Sequence, residues 1–220
     1  MSSPLRPVGA VVFDFGGVII TPITAGIATL AERSGVEPRA MLEVLIGPDA
    51  TGGHPWHRAE RGEMAVAEIQ AALATHASAA GIALSGDEIY TLLDGGYTIY
   101  ETVVERVRTL RAEGVRTGLL TNTFAEFRPT LEGHLDLSLF DAVVESYAVR
   151  ARKPEPAIYE AMATELGVEH GEIVYLDDFA QNLAPAEALG WRIIHVTDVA
   201  EALRELDRLI AAADGGRTCP

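Results

Sequence analysis

Four short stretches of the chain carry residues that could do chemistry, and the first is built on Asp14. The sequence Val12-Phe-Asp-Phe-Gly-Gly-Val18 places this carboxylate directly after an apolar run and before Gly16 and Gly17. Burying a carboxylate beside so apolar a run is costly unless a cation or a donor pairs with it. The glycines allow a sharp turn and a close approach to a ligand. The simpler interpretation is that Asp14 caps the following segment.

The next two stretches offer hydrogen-bond donors and a cation. Leu119-Leu-Thr-Asn-Thr123 contains Thr121 and Asn122, whose hydroxyl and amide could donate to phosphate oxygens or could merely begin a helix. Ala151-Arg-Lys-Pro-Glu-Pro156 places Lys153 before a proline at a predicted helix start. Its ammonium is therefore presented from a defined loop, although a solvated surface lysine would show the same pattern.

The fourth stretch contains two adjacent carboxylates. In Val174-Tyr-Leu-Asp-Asp-Phe-Ala-Gln-Asn182, the side chains of Asp177 and Asp178 follow an apolar run. Such a pair repels unless a cation lies nearby or one member is solvated. Together with Asp14 they would form an oxygen-rich site suited to Mg²⁺.

The elements that must position these residues alternate between strands and helices. The predicted buried strands are Val11–Phe15, Thr117–Thr121, Ala142–Glu145, Ile173–Asp177 and Arg192–Val196. The helices predicted after residue 100 are Val103–Glu113, Ala125–Leu135, Glu155–Leu166, Ala180–Leu189 and Asp198–Ala213. This alternation predicts an α/β fold with a Rossmann-like parallel sheet flanked by helices. All four stretches lie at strand ends, where such sheets bind ligands.

A helical insertion interrupts the alternation between the first two strands. Its predicted helices are Ile23–Ser34, Pro38–Leu45, Glu63–Ala80 and Asp87–Leu93. We therefore expect an α/β core domain formed by residues 1–22 and 98–213, and a helical domain formed by residues 23–97. The tail 214–220 is predicted to be disordered.

Composition narrows the function classes. The 220 residues include 48% hydrophobic and 22% charged residues, which is typical of a globular protein. With 17 Lys and Arg against 32 Asp and Glu, the net charge of −15 argues against nucleic acid and against anionic membrane surfaces as partners. No signal peptide or membrane-spanning run is evident, and the single Cys219 excludes an internal disulfide. We expect a cytoplasmic protein with a small-molecule ligand; its oligomeric state is not predicted.

Taken in order, the four stretches resemble the motifs of the haloacid dehalogenase-like hydrolase superfamily, over residues 10 to about 210. The Leu-Asp-Asp and Arg-Lys-Pro-Glu-Pro forms are most similar to the branch that contains the phosphatase domain of soluble epoxide hydrolase. That branch carries a helical cap between its first two motifs, as residues 23–97 would here. The resemblance implies a Mg²⁺-dependent phosphatase acting on a small phosphorylated metabolite.

The resemblance also implies roles for individual residues. Asp14 matches the nucleophile that forms an aspartyl-phosphate, with Thr121 and Lys153 as its catalytic partners. The same Thr121 and Lys153, together with Gly17 and Asn122, would bind the phosphate.

The metal ligands implied by the resemblance are Asp14, the backbone carbonyl of Gly16, and Asp178, with Asp177 as a less certain fourth. Asn182 stands where a further acid often lies in the family.

One position departs from the family pattern. Phosphatases of the family carry a second aspartate that protonates the leaving oxygen and later activates water, and Gly16 occupies its position. General acid–base catalysis of this kind typically raises the reaction rate 10²–10⁴-fold. A positive φ at Gly16 would penalise any side chain there. Candidates for a replacement acid are His54, His57 and Glu60. A loop that could face the substrate contains His54, Trp56, His57 and Arg58, although packing or surface positions fit each of them at least as well.

Two alternatives remain open at this point. The chain could be a degenerate member of the family that binds or regulates without catalysis. It could also be a metal-independent haloacid dehalogenase, since those enzymes lack the second aspartate because halide needs no proton. The glycine pair and the adjacent Asp177 and Asp178 favour metal chemistry over dehalogenation.

Overall fold

A five-stranded sheet with strand order β3-β2-β1-β4-β5 forms the centre of the fold. The computed structural model describes residues 6–47, 53–89 and 97–214. The strands are β1 (Ala10–Phe13), β2 (Arg116–Thr121), β3 (Ala142–Glu145), β4 (Ile173–Asp177) and β5 (Arg192–His195). Every pairing is parallel. The predicted Rossmann-like fold is confirmed, with strand ends displaced by one or two residues.

The helices follow in chain order. They are α1 (Ile23–Ser34), α2 (Pro38–Leu45), α3 (Pro55–Glu60), α4 (Val66–Ala79), α5 (Glu101–Ala112), α6 (Arg128–His134), α7 (Ser146–Val149), α8 (Pro156–Leu166), α9 (Ala180–Ala188) and α10 (Val199–Asp214). Among the described residues, no helix is both long enough and apolar enough to cross a membrane.

Helix predictions failed mainly for short elements. Helices α3 and α7 were not predicted, because segments this short show no periodicity. The predicted helix Ala125–Leu135 is divided into a 3₁₀ turn at Ala125–Phe127 and α6, whose second residue is a proline. Residues 90–93 of the predicted helix Asp87–Leu93 lie outside the described residues. The predicted disordered tail also lies outside them, except that α10 extends to residue 214.

Both faces of the sheet are buried. Val11 and Phe13 of β1 belong to one apolar cluster, which also contains residues of α5 and α10. Ala10 and Val12 point to the other face and pack in a cluster with residues of α8 and α9. This alternation is the period of a strand, and it leaves β1 fully buried in the middle of the sheet. Asp14 therefore follows directly on an enclosed strand.

The helices α1 to α4 lie between β1 and β2 in the chain and share a third apolar cluster. The segment leaves and rejoins the sheet at one place: Thr21 N–H donates to Thr98 O at 3.0 Å, and Tyr100 N–H donates to Ile19 O at 2.8 Å. Phe124, which comes shortly after β2, is part of the same cluster. The helices therefore pack over the carboxyl edge of the sheet.

Candidate active site at the carboxyl edge of the sheet

Three carboxylates meet where β1 and β4 end. Asp14, Asp177 and Asp178 each place one oxygen within 4.8 Å of the others. The register explains this meeting, since Phe13 of β1 pairs with Leu176 of β4 and the next residues leave the sheet at the same level. The structure thus brings together carboxylates that lie more than 160 positions apart in the chain.

Lys153 provides the positive charge for this cluster. Its side chain is 2% exposed, and Nζ lies 2.7 Å from Asp14 Oδ1 and 2.9 Å from Asp177 Oδ2. It also donates to the carbonyl of Leu120 at 3.1 Å. Burial alone would lower the pKa of Lys153, but Asp14 and Asp177 raise it above its usual value. The ammonium is therefore a permanent cation beside Asp14. Burial raises the pKa of Asp14, and the positive charge of Lys153 opposes this rise.

Asp177 holds the site together. Besides Lys153, its carboxylate accepts the Tyr175 hydroxyl, Phe179 N–H at 2.7 Å and the Asn182 side-chain amide at 3.1 Å. The side chain is fully buried. Because both oxygens already accept from several donors, Asp177 positions the lysine and the following loop. These contacts give no support to the less certain prediction that Asp177 binds metal directly. Asn182 holds the Asp177 carboxylate by donating its side-chain amide to it.

Asp178 has the opposite character. Its Oδ1 is buried without a hydrogen-bond partner. Burial, followed by repulsion from Asp177, raises the pKa of Asp178 to about 7. An orphaned carboxylate oxygen beside two other carboxylates is costly to bury without a cation. The donor set of Asp14 and Asp178 therefore fits a hard divalent cation.

Gly17 makes room for this carboxylate. Its φ is +72°, and a Cβ added there would lie 2.1 Å from Asp178 Oδ2. Gly16, by contrast, lacks a positive φ, and a Cβ there would meet nothing within 4 Å. The positive φ considered for Gly16 is thus found at Gly17. Sequence alone could not distinguish two adjacent glycines, because the difference depends on where Asp178 lies.

We expect Gly17→Ala to lower the free energy of unfolding by at least about 1–2 kcal/mol, because left-handed backbone strain is added to the collision with Asp178. Gly16→Ala is the matched control and should leave stability unchanged or slightly raised. Urea denaturation of both variants checks this. Equal unfolding free energies for the two would show that the geometry at Gly17 is not as described.

Thr121 is the last residue of β2, and Asn122 follows it. The Asn122 side chain accepts Lys153 N–H at 2.8 Å and donates to Lys153 O at 3.0 Å. Both polar atoms of the side chain therefore hold the lysine loop, and the phosphate contact of Asn122 stays a prediction. Thr121 is buried and lines the cavity described next, as the predicted hydroxyl should.

A cavity of about 580 Å³ opens above the carboxylates and reaches under the helical insertion. Its floor is formed by Asp14, Gly16, Thr121, Lys153 and Asp178. Apolar side chains supply much of the remaining lining, among them Phe15, Ile23, Leu30, Trp56, Phe124 and Phe127. The site thus combines a small charged floor with an apolar chamber, which is the common form of a small-molecule site.

A buried ion pair joins the floor to the insertion. Glu60 of α3 accepts Trp56 Nε1–H at 2.8 Å and Arg152 Nε–H at 2.5 Å. Burial raises the pKa of Glu60, and Arg152 opposes this. All three side chains line the cavity. Arg152 was missed from the sequence, since nothing local distinguishes it from a solvated arginine beside Lys153.

The remaining candidates from the insertion do not line the described part of the cavity. His54 Nδ1 accepts Trp56 N–H at 3.3 Å at the start of α3, and its ring packs 5.3 Å from that of His76 and 5.5 Å from that of His57. Arg58 pairs with Glu63 at 3.5 Å. Trp56 lines the cavity, whereas for His54, His57 and Arg58 these contacts favour the alternative of packing or surface positions.

Comparison with characterised proteins gives relatives over most of the chain. It is 28% identical over 215 residues to bifunctional epoxide hydrolase 2 of Rattus norvegicus, covering 90% of this chain but 38% of that protein's length. It is 27% identical over 207 residues to the sesquiterpene phosphatase astK of Aspergillus oryzae, covering 91% of this chain and 96% of that protein.

A solved structure shows the same fold. A HAD family enzyme from Bacteroides thetaiotaomicron, in complex with magnesium and inorganic phosphate, matches with a TM-score of 0.63 at 20% identity, over 86% of this chain and 93% of that one. A family model of haloacid dehalogenase-like hydrolases matches residues 8–190. The matched residues include all four motifs, so the chain belongs to the haloacid dehalogenase-like hydrolases.

Proposed function

We propose that this hydrolase is a Mg²⁺-dependent phosphatase that cleaves a small phosphorylated metabolite through an aspartyl-phosphate on Asp14. The observation that carries the proposal is the position of Asp14: its carboxylate is fixed by Lys153 at 2.7 Å on the floor of the cavity. A relative of similar length is named a phosphatase.

The described residues can supply the nucleophile, the positive charge and the phosphate contacts of this reaction. An oxygen of Asp14 attacks phosphorus, the bond to the leaving oxygen breaks, and water then cleaves the aspartyl-phosphate. Lys153 balances negative charge on Asp14 and on the phosphoryl oxygens, without needing to move. Thr121 offers its hydroxyl to the phosphate, and Gly17 lets the backbone approach it closely. Asp177 and Asn122 keep the lysine in position.

The residues that would hold Mg²⁺ are Asp14, Asp178 and the carbonyl of Gly16. The orphaned Oδ1 of Asp178 is the structural feature that favours a cation here. When bound, Mg²⁺ would neutralise charge on the phosphoryl group. Asp178 would then be an ionised ligand, and its carboxylate would stay in the space that Gly17 leaves by having no side chain.

Residues 23–97 are best interpreted as a cap that closes over this site, with residues 1–22 and 98–213 as the core domain. Support comes from the separate apolar cluster of the insertion and from the backbone hydrogen bonds that join residues 19–21 to residues 98–100, where the insertion begins and ends. In this arrangement the cap residues that line the cavity select the organic part of the substrate.

We expect phosphate release from a panel of phosphomonoesters to require Mg²⁺ and to stop when EDTA is added. Mg²⁺ at about 100 times its Kd should stabilise the native state by about 2.7 kcal/mol. Asp178→Asn should remove both the thermal shift and most of the activity. Asp207→Asn is the matched control, since Asp207 lies outside the cavity and is largely exposed.

The same measurements distinguish the alternatives. Phosphate release that is insensitive to EDTA would contradict the metal proposal. Release of chloride from 2-chloropropionate, without release of phosphate from any ester, would identify a dehalogenase. A protein that gains stability from Mg²⁺ and phosphate but turns over no substrate would be a binding protein.

A further inference from the structure

The carboxyl groups that line the described part of the cavity are Asp14, Glu60, Glu88 and Asp178. Asp14 is paired with Lys153, and Asp178 belongs to the carboxylate cluster. Glu60 accepts hydrogen bonds from Trp56 and Arg152. Glu88 accepts from Arg33 at 2.9 Å and from Ser85 at 2.9 and 3.0 Å. Asp14, Glu60 and Glu88 are therefore engaged as acceptors. Asp178, whose Oδ1 has no hydrogen-bond partner, is assigned to the metal in the proposed function and so is not free to protonate a leaving oxygen.

The backbone next to the nucleophile leaves space where an acid could stand. Gly16 lines the cavity two residues after Asp14, and a Cβ there would meet nothing within 4 Å. The floor thus offers a nucleophile and positive charge but no carboxylic acid at this position. A leaving group that departs as a stable anion is suited to such a floor, because proton transfer otherwise contributes about 10²–10⁴-fold.

The chamber above the floor is rich in aromatic rings. The rings of Trp56 and Phe124 meet edge to face at 5.1 Å, and Phe124 lies 5.7 Å from Phe127. Phe15 and Tyr97, which also line the cavity, form a second edge-to-face pair at 6.2 Å. The charged groups of the walls are paired with one another, as in Arg152 with Glu60 and Arg33 with Glu88. Such a lining favours a ring over a polyhydroxylated or charged body.

We propose that the preferred substrate of this site is an apolar aryl monophosphate, an inference that rests on the proposed phosphatase function. An oxygen of Asp14 bonds to phosphorus, the bond from phosphorus to the aryl oxygen breaks, and the electron pair stays on that oxygen as a phenolate. The phenolate then takes a proton from water. In the second step a water oxygen bonds to phosphorus, the bond to Asp14 breaks, and phosphate and the Asp14 carboxylate are released.

Two esters of equal ring size test the part that concerns the leaving group. The pKa of phenol is about 10, like that of the tyrosine hydroxyl, whereas the pKa of an alkyl hydroxyl resembles that of water, about 16. We expect kcat/KM for phenyl phosphate to exceed that for cyclohexyl phosphate about a hundredfold with Mg²⁺ present. A ratio of tenfold or less would overturn the inference but leave the phosphatase function standing. If neither these nor other phosphomonoesters are hydrolysed, both fail.

A matched pair of variants separates proton donation from other causes. Gly16→Asp should raise the cyclohexyl-to-phenyl ratio of kcat/KM at least about tenfold, because it supplies the missing acid. Gly16→Asn has the same size and cannot donate in this way, so its ratio should stay near that of wild type. An equal rise in both variants, or no rise in a folded Gly16→Asp protein, would contradict the inference.

Two aryl esters test the preference of the cavity lining for an apolar substrate. Hydrolysis of 2-naphthyl phosphate and of O-phosphotyrosine releases a phenolate in both cases. The naphthyl group is apolar, whereas the tyrosine part carries an ammonium and a carboxylate. We expect KM for naphthyl phosphate to be at least about tenfold lower, and Phe127→Ala to reduce this preference. A lower KM for phosphotyrosine would overturn the apolar part of the proposal.

Discussion

Asp14→Asn is expected to reduce phosphate release at least about a thousandfold, since an amide oxygen is a far weaker nucleophile than a carboxylate. The fold should survive. The amide keeps the shape of the side chain and can still accept Phe15 N–H and the Lys153 ammonium. Lys153 also keeps Asp177 as a partner, and one of three mutually repelling carboxylates is neutralised. The melting temperature should therefore change by no more than about 3 °C.

The control for this variant is Asp207→Asn, which makes the same chemical change at an exposed residue paired with Arg106. It should retain full activity. A folded Asp14→Asn protein that keeps more than a few per cent of wild-type activity would rule Asp14 out as the nucleophile.

Lys153→Met should affect stability as well as activity. The methionine has a similar stem but no charge, so Asp14 and Asp177 would be left buried without their cation. Removing one partner of a buried ion pair typically costs about 3–5 kcal/mol. We therefore expect a loss of this size in urea denaturation without Mg²⁺, a melting temperature lower by about 10 °C, and loss of nearly all activity.

Lys153→Arg is the comparison that separates charge from shape. It retains the cation but cannot reproduce the point contact with the carbonyl of Leu120 and with two carboxylates. It should recover most of the stability and little of the activity. A Lys153→Met protein as stable as wild type would show that the carboxylates are not ionised when the metal is absent.

The sheet and the floor of the site could be predicted because local signals determine them. Buried strands appear as short apolar runs, and the carboxyl ends of neighbouring parallel strands necessarily meet. Asp14 and Asp178 follow directly on β1 and β4, so their meeting depends on strand order alone. Lys153 lies in the short loop before helix α8, as predicted, because Pro156 at the start of that helix is itself a local signal.

The cap face of the site could not be predicted in the same way. Helix α3 has only six residues, and its sequence does not show which side faces the substrate. Glu60 and Trp56 face the cavity while His57, one residue after Trp56, does not line it. The role of Asn122 was also hidden, since its contacts are with the backbone of Lys153, which lies 31 positions away in the chain. Such contacts arise from tertiary packing and leave no trace in local spacing.

The most direct test of the account is to locate the phosphoryl group during turnover. Because no acid stands at Gly16 to activate water, the aspartyl-phosphate should break down slowly and accumulate. After rapid acid quenching, borohydride reduces such an acyl phosphate to homoserine, and mass spectrometry of the peptide around residue 14 can detect it. We expect homoserine at position 14 in the wild-type protein with substrate and Mg²⁺, and none in Asp14→Asn. A phosphoryl group trapped on any other residue would contradict this expectation.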